Sequence, residues 1–196
     1  MKTQRSAVAI AGIVAISAGA QAGILFSDSF DTEHAGSASL NYSGFANWTI
    51  TRGTADVIGN GNWDLSPDAG HGIYVDLDGS TGLAARMVSV PFALDPGDYE
   101  LSFQLAGSQR GDANTVHVSF LDYSQTIALA SNAPFTTFTA PITVSAATSG
   151  SIVFDHDGGD NIGLLLDNVE LRSVPSPSGG GALAILAVMT ALRRRR

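Results

Sequence analysis

The sequence predicts an all-β fold, an antiparallel β-sandwich. Apolar and polar residues alternate with a period of two in several short stretches, and no stretch keeps an apolar 3.6-residue period. Gly, Ser, Thr, Asp and Asn recur at short intervals, with 22 glycines in 196 residues, which cuts the chain into strand-length pieces. The chain has 0 cysteines, which removes disulfides, thiolate zinc sites, iron–sulfur clusters and thiol catalysis together.

Residues 1–22 read as a secretory signal. Lys2 and Arg5 give a charged start, residues 7–18 are apolar, and Ala20-Gln21-Ala22 supplies the small-x-small pattern that signal peptidase accepts. The apolar run is short for a membrane span.

Residues 23–173 are long enough for one domain. In 99–106, Tyr99, Leu101, Phe103 and Leu105 alternate with Glu100, Ser102, Gln104 and Ala106, so one face is expected in a core and the other in water. Ile73, Val75 and Leu77 alternate with Tyr74, Asp76 and Asp78 in the same way, as do Val116, Val118 and Phe120 with His117, Ser119 and Leu121. Further strands are expected at 46–51, 83–90, 125–130, 135–146, 150–155 and 163–172. Asp95-Pro96-Gly97-Asp98 predicts a turn, with proline presetting φ and glycine taking a positive one.

Residues 174–178, Val174-Pro175-Ser176-Pro177-Ser178, form a Pro/Ser linker, and 179–196 form an apolar helix closed by Arg193, Arg194, Arg195 and Arg196. The 14 apolar residues 179–192 reach roughly 21 Å as a helix, against a hydrocarbon core of roughly 30 Å. The arginines would snorkel and stay on the cytoplasmic side.

The chain has 18 acids and 10 bases, a net charge of −8. Lys2, Arg5 and the four terminal arginines lie at its ends. Between them Arg52, Arg86, Arg110 and Arg172 face all 18 acids, a balance of −14. Such a surface repels phosphate backbones, which excludes nucleic acid as a partner.

The Val-Pro-x-Pro turn, small-residue apolar helix and arginine cluster of 174–196 resemble the PEP-CTERM sorting signal of bacterial exported proteins, with Ser176 where that family usually has Glu. The resemblance implies an exosortase-like processing enzyme acting near Pro175 and Pro177, and a membrane held through the helix before processing. The order Ser29-Phe30-Asp31, residues 74–79 (YVDLDG), residues 96–103 (PGDYELSF) and residues 166–171 (LDNVEL) resembles galactose-binding-like jelly rolls. These occur in carbohydrate-binding modules and in domains of the DUF642 type. The resemblance implies a structural calcium between the first-strand and last-strand acids, here Asp31 and Asp167.

The residues themselves give part of that calcium expectation. Asp167 follows Leu164-Leu165-Leu166 and precedes Val169, where a carboxylate is costly unless paired, hydrogen-bonded or metal-bound. A turn cap onto backbone N–H groups is the alternative. Residues 76–79 and 155–161 are acidic glycine segments of the kind that collect oxygen ligands, but neither has EF-hand spacing.

Sugar binding would use an aromatic platform with polar neighbours. Trp63, in the glycine-rich Asn60-Gly61-Asn62-Trp63-Asp64, and Tyr74 are the candidates, whereas Trp48 belongs to the core. Arg110 is a candidate clamp for a ligand carboxylate, with pairing to a neighbouring Asp as the alternative. There is no Gly-x-Ser-x-Gly elbow, and His34, His71, His117 and His156 are scattered. Catalytic residues are therefore not assigned. The expectation is a non-enzymatic exported surface or matrix protein, binding exopolysaccharide or a partner protein. A hydrolase whose site is assembled only in the fold is the other reading.

Overall fold

The computed structural model describes residues 22–175 apart from 67 and 69. The signal segment with Ala20, and the tail with Pro177 and Arg193 to Arg196, lie outside the described residues, as do both expected terminal helices. Among the described residues no helix is long and apolar enough to cross a membrane.

Ala22–Val174 form one compact unit. Its larger sheet runs in the order β11 (Thr136–Val144), β8 (Gly97–Ala106), β14 (Leu165–Val174), β5 (Ile73–Asp76), β4 (Ala55–Gly59), β2 (Ser39–Tyr42), with β1 (Ile24–Asp28) also on β14. The second sheet runs β10 (Tyr123–Leu129), β9 (Asn114–Phe120), β13 (Val153–Asp157), β6 (Arg86–Ser89), β3 (Trp48–Arg52). A small ribbon pairs β7 (Phe92–Leu94) with β12 (Thr148–Gly150). Strand pairing is antiparallel in all three.

The alternation seen in the sequence places the core. Tyr99, Leu101, Phe103 and Leu105 of β8 and Val116, Val118 and Phe120 of β9 point into one shared cluster, joined by Trp48, Met87, Phe154 and Leu171. Burying each of the larger side chains contributes about 1.5–3 kcal/mol. Tyr99 is fixed further because its hydroxyl donates to the Asp95 carbonyl at 2.7 Å. One turn differs from expectation: Gly97 opens β8, paired with Val144, and does not take a positive φ. Ladder pairing of Gly97 supplies what the left-handed turn would have supplied.

The other difference decides where a site can form. Tyr74, Asp76 and Asp78, expected in water, are all buried. Residues 60–72 and 133–135 fold over the outer face of the larger sheet, where Leu65 and Phe135 cap Ile58, Tyr74, Ala106 and Leu165 as a second small core. β5 is therefore covered on both faces.

β14 meets two strands on the same side in succession. β5 pairs at Leu165 and Leu166, and β1 pairs from Val169 to Arg172. The register against β8 shifts between Asp167 and Glu170, with Asn168 at φ +49°. Such bulges re-aim side chains. Here the bulge presents Asp167 at the point where one neighbour ends and the next begins.

Candidate functional site

A cavity of about 140 Å³ opens where residues 60–72 cross the sheet, walled by Asn60, Asp64, Ser66, Asp68, His71 and Tyr74. Tyr74 builds its floor. The phenol accepts the N–H groups of Leu65 and Ser66 at 2.6 and 2.7 Å and donates to Asp64 Oδ1 at 2.7 Å. Burial pushes that hydroxyl far above its ordinary titration range. Tyr74 therefore corrects one expectation: it is 0% exposed, so it holds the loop and offers no platform.

Trp63 is placed in the opposite way. It is 58% exposed, beside Asp64 in the chain, and sits at φ +46°. Left-handed backbone at a bulky residue costs of order 1–3 kcal/mol, and this exposed indole gains little burial to offset it. The reversal is forced by a tight loop in which Gly59 and Asn62 exchange two backbone hydrogen bonds.

His71 forms the inner wall. Its ring stacks on Phe135 with centroids 4.0 Å apart, and Nδ1 lies 2.9 Å from Asp167 Oδ2. Asp167 is 0% exposed and also accepts the Asn168 backbone N–H at 2.7 Å and its side-chain amide at 3.0 Å. Burial raises the Asp167 carboxyl to about 6, with His71 and Asn168 pulling it down and the charge of Asp31 pushing it up. Both the pairing and the turn-cap alternative for Asp167 are thus present together.

Asp31 lies close enough to Asp167 for that charge to matter. Its Oδ1 accepts the Ile73 N–H at 3.0 Å and its Oδ2 accepts the Ser29 hydroxyl at 2.9 Å. Oxygen donors of this kind suit calcium. The two carboxylates stand alone as acidic donors: among the described residues no three His, Asp or Glu side chains converge as metal ligands. Backbone carbonyls and water would have to complete the six to eight ligands that calcium takes.

The two acidic glycine segments meet elsewhere. Asp78 Oδ2 accepts the N–H groups of Gly159 and Asp160 at 2.7 and 3.3 Å, so a buried carboxylate ties down the loop after β13. Beside it, His156 Nε2 accepts the Leu164 N–H at 3.1 Å. That bond leaves the neutral ring's proton on Nδ1, which makes Nδ1 a donor and not a metal ligand. Burial lowers His156 to about 4.

Arg110 is absent from the cavity wall. Its Nη2 lies 2.5 Å from Asp76 Oδ2, the pairing alternative to a ligand clamp. Of the candidates Trp63, Tyr74 and Arg110, the fold brings Trp63 and Tyr74 to one loop and assigns Arg110 to an internal ion pair. His71 and Phe135 are partners that the sequence did not mark. His71 reaches Asp167 across 96 residues of chain, so no local spacing carries that contact.

His71 with Asp167 has the form of the imidazole–carboxylate half of a hydrolytic triad. The hydroxyl in the same cavity, however, is committed elsewhere, because Ser66 Oγ donates to the Asp68 carbonyl at 2.7 Å. A larger groove of about 620 Å³ lies between the β9–β10 turn and the end of β11, with Tyr123 as its aromatic residue. Asp122, Thr143, Ser145 and Thr148 are among its lining residues, and the Tyr123 hydroxyl donates to Gln125 Oε1. The smaller cavity gathers His71, Asp64 and Asp68 in its wall.

No family model matches the chain. No curated protein matches it either. Among solved structures it is similar to a carbohydrate-binding module of Cellvibrio mixtus lichenase 5A in complex with cellotriose, at 14% identity and TM-score 0.39, over 78% of this chain and 99% of that one. A second similar structure is a carbohydrate-binding module from Cellvibrio japonicus, at 14% identity and TM-score 0.43, over 69% of this chain and 92% of that one. A third is the isomalto-dextranase of Arthrobacter globiformis complexed with panose, at 20% identity and TM-score 0.42, over 69% of this chain. The chain spans only 23% of the dextranase's length.

Proposed function

We propose that this chain is an exported, non-enzymatic surface or matrix protein whose galactose-binding-like jelly-roll domain binds extracellular polysaccharide through Trp63 and the loop that carries it. One observation carries the reading: an indole 58% exposed and held in left-handed backbone immediately precedes Asp64, which lines a polar cavity. Aromatic faces bind sugars by covering their apolar C–H surface, while the surrounding polar groups take the hydroxyls. Two facts support binding over hydrolysis. Asp167, the desolvated carboxyl at the site, is held in place by hydrogen bonds with His71 and Asn168, and Ser66 is bonded within its own turn. Glycoside hydrolysis needs a pair of free facing carboxyls, one of them with a raised pKa.

Export is proposed from the termini, with signal peptidase acting after Ala22 and an exosortase-like enzyme of the PEP-CTERM system acting at Val174-Pro175-Ser176-Pro177. The adjoining ends of the domain are clasped together: Gly23 N–H donates to Ser173 Oγ at 2.9 Å, and Ser173 N–H to the Gly23 carbonyl at 2.8 Å.

A glycan array probed with the full-length chain in mild detergent tests the binding. The wild type should bind a subset of polysaccharides, and Trp63→Ala should lose at least tenfold in affinity. No binding on the array, or equal binding by Trp63→Ala, overturns the proposal. Calcium is proposed at Asp31 and Asp167, where it would neutralise two neighbouring acids. Melting with added calcium and with a chelator should then separate by several degrees, and Asp31→Asn should erase the separation. Identical melting in both conditions rejects the ion.

A further inference from the structure

We propose that the free edge of β10 pairs antiparallel with the same edge of a second copy of this chain, about a twofold axis at Thr126. The proposal is independent of the binding reading above. Its first support is where charge is missing. From Tyr123 to Phe154 the sequence contains no Asp, Glu, Lys, Arg or His, although the body carries −14. This stretch supplies β10 and β11, the strands that end the two large sheets and flank the groove of about 620 Å³. Of the residues lining that groove, Asp122 alone is charged. Two copies with the same excess of acid repel wherever charged faces meet, and least where both faces are neutral. The occupant that fits an uncharged edge on so acidic a body is therefore the same edge of another copy.

The second support is a comparison of the sheet ends. The two large sheets end in β11, β2, β10 and β3. Pro141 leaves β11 one N–H short, a common way to blunt an edge. The ladders of β2 on β4 and of β3 on β6 are broken by register shifts, and β3 also carries Arg52. β10 has none of these protections. It pairs with β9 from Tyr123 to Leu129 without a shift, and it contains neither proline nor charge.

The third is the geometry of that strand. Leu121, at φ +51°, and Asp122 form the two-residue turn between Phe120 and Tyr123. Such a turn makes Phe120 and Tyr123 a hydrogen-bonded pair, so Tyr123, Gln125, Ile127 and Leu129 bond β9. Ser124, Thr126 and Ala128 then direct their N–H and C=O groups outward, where no strand lies. All three are exposed and small. Pairing about Thr126 sets Ser124 of one copy opposite Ala128 of the other. It also sets Tyr123, at the groove, opposite Leu129. The pairing uses up the edge, so assembly stops at two.

Sedimentation equilibrium of the full-length chain in mild detergent, over a concentration series, tests this. The wild type should pass from monomer to dimer in the micromolar range, as befits a small interface. Added salt should tighten the dimer by screening the acidic bodies. Thr126 is exposed and its side chain bonds only His117 Nδ1 at the surface, so substitutions there should fold. Thr126→Lys and Thr126→Asp should each weaken the dimer at least tenfold, because the twofold puts like charges opposite each other. An equimolar mixture of the two variants should recover it. Hydrogen exchange at the Ser124, Thr126 and Ala128 amides should slow as wild-type concentration rises. A wild-type monomer throughout, or a dimer indifferent to both substitutions, overturns the proposal. So does dissociation that mixing does not reverse, or growth beyond two. A monomer whose binding on the glycan array is lost in Thr126→Lys would give the edge to a sugar, and also overturns it.

Discussion

Asp76 and His156 are buried titratable groups displaced from their ordinary values in opposite directions. Burial raises the Asp76 carboxyl to about 7, against the pull of Arg110, and burial lowers the His156 imidazole to about 4. An aspartate raised in this way lends stability below its ordinary 3.8 and loses it as pH climbs to about 7. A histidine lowered in this way lends stability above 6.5 and loses it as pH falls to about 4. The slopes oppose across the same window, with Asp167 adding to the side of Asp76. Asp76→Asn should therefore make stability fall more steeply toward acid than in the wild type, and His156→Gln should make it rise toward acid. Each change integrates to on the order of 3 kcal/mol over the window, at about 1.4 kcal/mol per pKa unit. Denaturant unfolding at about pH 4 and about pH 7 reads the slopes, which matter here more than the absolute stabilities, since Asp76→Asn also strips Arg110 of its partner. Parallel slopes in all three proteins would refute the assignment.

The loop of residues 60–72 owes its shape to Tyr74 and Gly72. Removing one hydroxyl in Tyr74→Phe orphans the Leu65 N–H and leaves the Ser66 N–H and Asp64 Oδ1 only their mutual bond at 3.1 Å. At about 1–3 kcal/mol for groups left unpaired, the loop should open, and limited proteolysis should cut within 60–72 well before the rest of the domain. Gly72 sits at φ +66°, and a Cβ there would lie 2.0 Å from Asp31 Oδ1, so Gly72→Ala should disturb the same loop from its other end. If both variants resist protease like the wild type, the loop is held by something else. Such covering loops explain what sequence can disclose. β8 and β9 are legible because each has one wet face, which writes a period of two into the residues. β4 is buried at all five positions, and nothing in Ala55–Gly59 alternates. β5 does alternate, yet its polar half lies under a loop, so the pattern points Tyr74 and Asp76 toward water that is not there. Asp167 is legible as a carboxylate in need of a partner, because leucines surround it. The partner, His71, is not, because only the fold brings β5's approach beside the β14 bulge.

The body's charge of −14 is spread over a domain whose four arginines are all in ion pairs, so most of its acids have no compensating cation. Like charge of this density keeps protein molecules apart in solution. β14 carries the chain from Asp167, beside His71 of the cavity wall, to Val174, where the linker begins, and those seven residue steps of strand span about 23 Å. The cavity is thus set back from the tail attachment by most of the sheet's length. Charge of one sign also works against compactness, and this leads to a test independent of any ligand. Between about 0.01 M and about 0.5 M sodium chloride the Debye length contracts from about 30 Å to about 4 Å. Repulsion acting across the domain is screened over that range, while the short ion pairs of Arg110 with Asp76 and Arg52 with Asp155 lose much less. The melting temperature should rise by several degrees, since about 1 kcal/mol moves a domain of this size by roughly 2–4 °C. Asp95→Asn, which removes one exposed acid, should reduce the rise slightly, whereas Asp76→Asn, which removes a buried paired one, should not reduce it. A melting temperature that drops with salt would mean that the four ion pairs outweigh the long-range field.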